Sequence, residues 1–421
     1  MAEPRRATGA APYPRRVTTF DPRAPLDPAP NPWAEMPQPS TRSGPPFHMT
    51  DMIAAEPFVA ERIVERLADP QGPAGRLAGA VGQAASSGAP IVITGCGTSE
   101  HAALAAVEIL RDAIRAGGLP AGPTSVVAAQ AFELALDPPN GGLVIGVSHE
   151  GGSAATIDAM DEAGDAGAHV GLITGSDHSP AGDAADEELI VETVEMDHGW
   201  CHTIGYVAPI VAAAAVGAHL SGAPLDGAAV RDLLADGARD EAGAEAIAAV
   251  LAGCRTILTI ASGSDRPAAK ELALKIEEAA WVPTTMRDLE TFLHGHLPAT
   301  DATTGLVLIL ADRAGRPERV ERARDALAAA KVVGLRSAAI LGRGVADQLA
   351  DDLTPVGRLV VDDSAALSDP VAALLATATP LQLLTERIAR ARGTNPDLIR
   401  RDDPTYLAAA RAAEAPVDAK P

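Results

Sequence analysis

Two stretches of this chain decide its fold: Ile91-Val-Ile-Thr-Gly-Cys-Gly-Thr-Ser99 and Leu143-Val-Ile-Gly-Val-Ser-His-Glu-Gly-Gly-Ser153. In each, a short apolar run typical of a buried strand ends in glycine and hydroxyl residues. Glycine allows a tight turn at the carboxyl end of a strand, and hydroxyls beside the first amides of a following helix suit an anion or a sugar. We therefore expect a phosphate or sugar site at these two strand ends.

Strand-like and helix-like segments alternate around both stretches. In the first half we predict strands at 91–95, 124–128, 143–147, 169–173 and 189–193, with helices near 100–116 and 153–166. A Gly- and Pro-containing break at 221–224 and a long Ala-rich helix to about Leu251 separate the halves. In the second half we predict strands at 256–261, 305–310, 336–341 and 357–361, with helices near 266–281, 317–331 and 369–392. This alternation predicts an α/β protein with two tandem doubly wound parallel sheets of the flavodoxin-like type.

The chain is expected to divide into five parts. They are a disordered tail (1–46), leading helices (47–88), a first sheet domain (89–224), a second sheet domain (225–380), and a C-terminal helix and tail (381–421). The first 46 residues are dense in Pro and Arg, and they lack both apolar periodicity and the apolar core of a secretory signal.

Composition favours a cytoplasmic enzyme. The chain has 421 residues, of which 47% are hydrophobic, enough for two or three domains with a real core. A formal charge of −22 argues against nucleic-acid and anionic-membrane partners. The three cysteines are widely spaced, which indicates neither a disulfide framework nor a cysteine metal site. The apolar run from Tyr206 to Leu220 is shorter than the roughly 20 residues that span a bilayer, so we interpret it as a buried helix.

Four segments together resemble the tandem sugar isomerase (SIS) domain family, and are similar to the isomerase half of the glucosamine-6-phosphate synthases. They are Cys96-Gly-Thr-Ser99, Ser148-His-Glu-Gly-Gly-Ser-Ala-Ala-Thr156, Glu271-Leu-Ala-Leu-Lys-Ile-Glu-Glu278 and Glu290-Thr-Phe-Leu-His-Gly295. The resemblance runs from about Met49 to about Asp397. No amide-hydrolysing domain with an N-terminal cysteine precedes it in the sequence, so we do not expect glutamine to be a nitrogen donor.

The resemblance implies a set of site residues. Glu278 aligns with the family's glutamate base, which moves a proton between adjacent sugar carbons. His294 aligns with the ring-opening histidine, which is often supplied across a dimer interface. The implied substrate-binding residues are Cys96, Gly97, Thr98, Ser99, Ser148, His149, Glu150, Gly151 and Ser153. We expect a homodimer or higher homo-oligomer, a small sugar derivative as ligand, and neither a cofactor nor a metal.

Two departures from the family pattern bear on the substrate. Glu150 stands where the family usually has a phosphate-binding serine, and a carboxylate 4 Å from a phosphate charge repels it by about 4 kcal/mol at a dielectric near 20. The region of the synthases' Schiff-base lysine reads Gly393-Thr-Asn-Pro-Asp-Leu-Ile-Arg-Arg-Asp-Asp-Pro-Thr-Tyr406, and no lysine follows until Lys420. The synthase amination mechanism is therefore not expected. Arg400 and Arg401 are candidates to clamp an anion instead.

Several assignments stay open at the level of sequence. Glu277 and Glu278 are adjacent, so a shift of one residue would exchange base and surface residue. His294 and His296 form either a ring-opening site or a pair of metal ligands. The segment Asp197-His-Gly-Trp-Cys-His-Thr203 is either a substrate-recognition lid or a helix-capping turn. The reaction is an aldose–ketose isomerisation or a deamination or deglycation on the same scaffold, and the alternative from another class is a non-catalytic sugar-binding regulator.

Overall fold

Ten parallel strands form the frame of the part of the protein that the structure describes. The computed structural model describes residues 42–122, 125–177, 179–191 and 197–414. The strands of the first half are β1 (Ile91–Gly95), β2 (Val126–Gln130), β3 (Leu143–Ser148), β4 (His169–Thr174) and β5 (Glu187–Ile190). Those of the second half are β6 (Thr256–Ala261), β7 (Thr284–Asp288), β8 (Thr304–Leu310), β9 (Arg336–Gly342) and β10 (Gly357–Val361).

The two sheets have the same topology. The strand order is β2-β1-β3-β4-β5 in the first and β7-β6-β8-β9-β10 in the second, and every pairing is parallel. The prediction of two tandem doubly wound parallel sheets is therefore confirmed. In this topology the strand order reverses beside the first strand, and ligands bind at the carboxyl ends of the strands near that point.

Fourteen helices surround the sheets in the described residues. They are α1 (His48–Arg66), α2 (Pro73–Ser87), α3 (Thr98–Ala116), α4 (Ala131–Leu136), α5 (Ala154–Asp165), α6 (Ile204–Ser221), α7 (Gly227–Gly237), α8 (Glu241–Leu251), α9 (Arg266–Ala280), α10 (Leu289–Thr291), α11 (Arg316–Val333), α12 (Arg343–Ala346), α13 (Asp369–Arg392) and α14 (Pro404–Glu414). Short 3-10 turns and one kinked π turn at Phe292–His296 complete the described elements.

Three sequence predictions differ from the structure. Strand β7 was not predicted, because its Thr-Thr-Met-Arg-Asp sequence is polar and only partly buried at the edge of the sheet. The single Ala-rich helix before Leu251 is two helices, α7 and α8, and the aspartate before each one accepts a capping hydrogen bond from its first turn. Of the predicted tail, residues 1–41 lie outside the described residues, and Arg42 pairs with Asp51 of α1 at 2.6 Å.

A single apolar core joins the two halves. Helices α3 and α6 of the first half pack against α9 and α13 of the second, and their buried side chains belong to one continuous cluster. Helix α6 is the one described helix that is long and apolar enough to cross a membrane, and 78% of its apolar window is buried inside the protein. Because α3 begins at the end of β1, this packing brings the first loop against α9.

Asp265 is a buried carboxyl group at the strand ends of the second sheet. Its Oδ2 accepts hydrogen bonds from the amides of Ala311 and Asp312, both at 2.9 Å. Burial raises the pKa of Asp265 from its ordinary value of 3.8 to about 7, and the neighbouring Asp312 carboxylate adds to the rise. The folded state therefore holds this proton more tightly than the unfolded chain does.

Asp265 is expected to make the protein less stable as the pH rises. Its contribution is fully present below pH 3.8 and is lost as the pH rises toward the folded pKa of about 7. Between pH 5 and 7.5 the free energy of unfolding should fall by roughly 2–3 kcal/mol on this account. Urea unfolding of wild type and Asp265→Asn at both pH values measures the difference. Equal pH dependence in the two proteins would show that Asp265 is not protonated in the fold.

Candidate active site

The first loop is anchored to the second half of the protein. Thr98, at the start of α3, donates a hydrogen bond from Oγ1 to Oε1 of Glu271 on α9 at 3.1 Å. One turn later, His101 Nδ1 lies 2.7 Å from Oε2 of the same carboxylate. Gly97 is exposed before them with a φ of +56°, which favours glycine. The two halves therefore meet at a carboxylate held by side chains of α3.

Three ionisable side chains lie on one face of α9. Glu271, Lys275 and Glu278 are spaced i, i+4 and i+7, which places them together. The Nζ of Lys275 donates to Glu278 Oε2 at 2.7 Å and lies 3.6 Å from Glu271 Oε1. The Lys275 side chain is 1% exposed. Burial opposes its charge, but the two carboxylates outweigh burial and raise the pKa of Lys275 well above its usual range.

The structure separates the roles of the two adjacent glutamates. Glu277 Oε1 accepts a hydrogen bond from the Thr284 amide at 3.0 Å and so fixes the start of β7. Glu278 points to Lys275 and the buried Cys201 thiol, and its side chain is 21% exposed. Glu278 is therefore the glutamate that contacts the buried Lys275 and is still partly exposed to solvent.

The second loop is held tightly at the end of β3. Ser148 is buried, and its Oγ accepts a hydrogen bond from the Gly151 amide at 3.1 Å. Ser153 is exposed at the start of α5, next to the free amides of that helix. The half-buried Cys96 links the two loops, because its Sγ lies 3.6 Å from Thr156 Oγ1 on α5. Ser99, also half-buried, closes the turn with a bond from its amide to the Cys96 carbonyl at 3.0 Å.

Gly151→Ala is expected to destabilise the protein more than Gly88→Ala does. Both glycines have a similar φ, +73° and +70°, so the conformational cost of alanine, about 1–2 kcal/mol, is shared. A Cβ at position 151 would overlap the Ser179 side chain, whereas a Cβ at position 88 meets no atom within 4 Å. The difference between the two variants in urea unfolding therefore reports the clash alone. Equal losses would mean that the loop moves away from Ser179 freely.

Glu150 lies beside a positive charge of the C-terminal segment. Burial raises the pKa of Glu150, and the Arg401 guanidinium opposes that rise. Arg401 stacks over Trp200 at 4.4 Å from the ring centroid. Its neighbour Arg400 lies between Trp281 and Tyr406, at 4.5 and 3.8 Å. Arg401 thus faces the loop that carries Glu150, whereas Arg400 fastens the C-terminal segment.

His149 lies in a third group of polar side chains. Its Nε2 is 3.4 Å from Oδ2 of Asp197, and its ring centroid is 4.8 Å from that of His202. Burial, with a smaller effect of Lys275, lowers the pKa of His149 to about 4. Burial raises the pKa of Asp197 to about 7. The segment of uncertain role between Asp197 and Thr203 therefore packs directly against the second loop.

The structure does not bring His294 to this site within one chain. Its side chain is 69% exposed and pairs with Glu290 at 2.6 Å. The Glu290 carboxylate also binds Arg322, at 2.5 Å. In the described part of the chain, neither His294 nor Glu290 has a hydrogen bond or ion pair with the α9 group. The Nδ1 atom of His296 accepts a hydrogen bond from Arg287 Nε at 3.2 Å. This nitrogen is therefore not free to bind a metal ion together with His294.

Several residues of the site were missed from the sequence. Lys275 was not predicted as a site residue, although its i, i+3 spacing to Glu278 was a usable signal. His101 and Glu271 meet across 170 residues of sequence, and His149 meets Asp197 only through the fold. No local pattern indicates such long-range contacts.

Comparison with solved structures identifies the fold. The C-terminal domain of glucosamine-fructose-6-phosphate aminotransferase from Francisella tularensis superposes with a TM-score of 0.70 at 17% identity, covering 85% of this chain and 100% of that one. Tagatose-6-phosphate ketose/aldose isomerase from Escherichia coli gives 0.64 at 17% identity, with 86% and 97% covered. Glucosamine-6-phosphate deaminase from Thermotoga maritima gives 0.59 at 14%, with 83% and 96% covered. This chain therefore has the tandem sugar-isomerase fold.

Sequence comparison adds no closer relative. No protein-family model matches the chain, and no curated protein matches it. At 14–17% identity the structural likeness establishes the fold, and the chemistry must be argued from the site.

Proposed function

We propose that this protein is an enzyme that transfers a proton between C1 and C2 of a sugar derivative, with Glu278 as the base. The observation that carries the proposal is the pairing of Glu278 with the buried Lys275, at 2.7 Å, on the helix whose Glu271 binds Thr98 of the first loop. The Lys275 ammonium group donates a hydrogen bond to the Glu278 carboxylate and so fixes the position of the group that would accept the proton. The 21% exposure of Glu278 leaves it within reach of a ligand.

The chemistry of the group suits an enediol intermediate. Glu278 takes the proton from C2 of an open-chain aldose, the C–H electron pair forms the C1–C2 double bond, and the carbonyl oxygen takes up a proton. Glu278 then returns its proton to C1 while the C2 hydroxyl releases its own proton, which balances the proton taken up at the C1 oxygen and yields the ketose. A charge that develops on the substrate oxygens is stabilised by a nearby cation, and Lys275 is the cation closest to Glu278.

His294 is proposed to act on the site of a second copy of the chain. It is exposed and paired with Glu290, which would hold the imidazole in one orientation. From the surface it can approach another protomer's ligand and move a proton between the ring oxygen and the anomeric hydroxyl. We accordingly propose a homodimer as the active form.

The second candidate is cleavage of a C–N bond in an amino sugar or fructosamine by the same proton transfer. It is favoured by the carboxyl group of Glu150 in a loop that suits an anion. Carboxylates favour a substrate amino group over a phosphate. Among the similar folds, the Thermotoga maritima protein carries the name of a deaminase.

The proposal is tested by a turnover screen of the full chain. The panel pairs fructose 6-phosphate, glucosamine 6-phosphate and a fructosamine 6-phosphate with their unphosphorylated forms. Proton NMR distinguishes isomerisation from ammonia or amine release, and thermal shift reports binding of each compound. Isomerisation supports the first candidate and release of the amine the second. A compound that binds and shows neither reaction nor exchange would contradict both and indicate a sugar-binding regulator.

A further inference from the structure

Three side chains at the end of β3 are arranged as metal ligands. His149, Asp197 and His202 each offer one donor atom, and all three atoms lie within 4.8 Å of one another. His149 Nε2 and Asp197 Oδ2 are 3.4 Å apart. In a tetrahedral zinc site with bonds of about 2.0–2.1 Å, neighbouring donor atoms are about 3.3 Å apart. The His149–Asp197 pair therefore already has about the spacing that a shared ion requires.

The His149 nitrogen lacks a hydrogen-bond partner. Its Nε2 is buried and makes no hydrogen bond among the residues that the structure describes, and its side chain is 7% exposed. A buried polar atom of this kind costs about 1–3 kcal/mol when it stays unpaired. The nitrogen is directed at the Asp197 carboxylate, next to the His202 ring. A bound cation would satisfy it.

The surrounding backbone holds the three ligands in place. The Gly205 amide donates to Asp197 Oδ2 at 3.1 Å, and the Thr203 amide donates to Oδ1 at 3.4 Å. A Cβ at position 205 would lie 3.1 Å from His149 Cγ and 3.2 Å from His202 Cβ. Glycine at this position therefore makes room for both rings. Hydrogen bonds to a ligating carboxylate are the usual outer support of a metal site.

The charges around His149, Asp197 and His202 are compatible with a bound divalent cation. The nearest cation, Lys275, is compensated by Glu271 and Glu278 at 3.6 and 2.7 Å. The carboxyl groups of Glu56 and Glu150 lie near Asp197, and burial raises the pKa of both. Of these carboxylates, Glu150 also has Arg401 as a neighbouring cation. Because Lys275 is compensated by two carboxylates, its charge opposes a bound divalent ion less.

We propose that His149, Asp197 and His202 bind a divalent transition metal ion, and that their nitrogen–oxygen donor set favours Zn²⁺. Three protein ligands leave a fourth position for water or an oxygen atom of a ligand, as in catalytic zinc sites. Because His149 directly follows Ser148 at the end of β3, that oxygen belongs to the sugar or its anionic substituent. This revises the expectation of no metal, and it does not rest on the proposed reaction.

The test measures metal binding by the full chain without any sugar. Protein stripped with a chelator is titrated with Zn²⁺ in competition with a chromophoric chelator, and with Co²⁺ by visible absorption. We expect one equivalent with a Kd below about 1 µM. Loss of an outer-shell partner alone costs about 10–100-fold in affinity, so His202→Ala should weaken binding by at least about 100-fold.

Two further variants keep the result interpretable. Asp197→Asn keeps the size of the side chain and an acceptor for one of the two amides, Thr203 or Gly205, that bond to Asp197, and it removes the charge. It should weaken Zn²⁺ as His202→Ala does. His169→Ala is the matched control, because His169 pairs with Asp186 at 3.2 Å on the surface. A wild-type Kd above about 100 µM, or ligand variants within about tenfold of wild type, would overturn the proposal.

Discussion

Replacing Lys275 with methionine is expected to reduce the free energy of unfolding by about 3–5 kcal/mol, the usual cost of removing one partner of a buried ion pair. The Lys275 side chain is 1% exposed and faces two carboxylates, Glu271 and Glu278. Without the ammonium group, both acids must either stay charged in a buried site or take up protons. Urea unfolding at neutral pH measures the loss.

Lys270→Met on the same helix is the matched control. Its ammonium group is 38% exposed and lies 3.9 Å from Glu100, so its loss should cost less than about 1 kcal/mol. Adding Glu271→Gln to Lys275→Met should restore part of the stability, since one uncompensated charge disappears. If Lys275→Met were no less stable than Lys270→Met, the α9 group would not be a buried ion network.

Replacing Glu278 with glutamine is expected to lower turnover by about 10²–10⁴-fold, the range for loss of a general base. The amide cannot accept the proton from carbon, although it keeps the size of the side chain and can still bond to Lys275. Binding of the substrate, followed by thermal shift, should stay within a few fold of wild type. Turnover is measured with the compound that the screen identifies.

Glu277→Gln supplies the control for this effect. Glu277 Oε1 accepts from the Thr284 amide, a bond that the glutamine carbonyl also makes. Its turnover should remain near that of wild type. Loss of activity in Glu277→Gln with normal activity in Glu278→Gln would exchange the roles of the two residues.

The two halves share a topology, but their loops differ in chemistry. In the second half the strand ends are filled by side chains of the protein itself. The Ser264 amide donates to Asp312 Oδ2 at 2.9 Å, and Arg319 pairs with the same carboxylate at 2.6 Å. A Cβ at Gly263 would overlap that guanidinium group. The first half therefore remains the proposed place for a ligand, with the second half supplying α9.

Strand positions followed from the sequence because buried parallel strands are continuous apolar runs. The bounds of Ile91–Gly95 and Thr256–Ala261 were predicted to the residue. Strand β7 was missed since an edge strand is exposed to solvent and carries no such run. The break between α7 and α8 was missed because the alanines of this segment favour one continuous helix. The Asp240 side chain instead caps the start of a new helix by accepting a hydrogen bond from the Gly243 amide.

The sequence predicted site residues only where they belong to one continuous segment of the chain. The family resemblance indicated Glu278 as the base. To prefer it over Glu277, one must know which partner each side chain contacts in the folded structure. The group of His149, Asp197 and His202 joins residues from two separate segments. A histidine directly after Ser148 and an aspartate before α6 have no shared period, so only the folded structure reveals them as neighbours.

Deuterium exchange tests the central claim, proton transfer by Glu278, most directly. Each compound of the panel is incubated with wild type and Glu278→Gln in deuterated water, and NMR follows the label at C1 and C2. We expect label to enter one of these carbons with wild type, because Glu278 exchanges its proton with solvent between removal and return, and we expect none with the variant. Binding of a compound without exchange, or equal exchange in both proteins, would contradict the account.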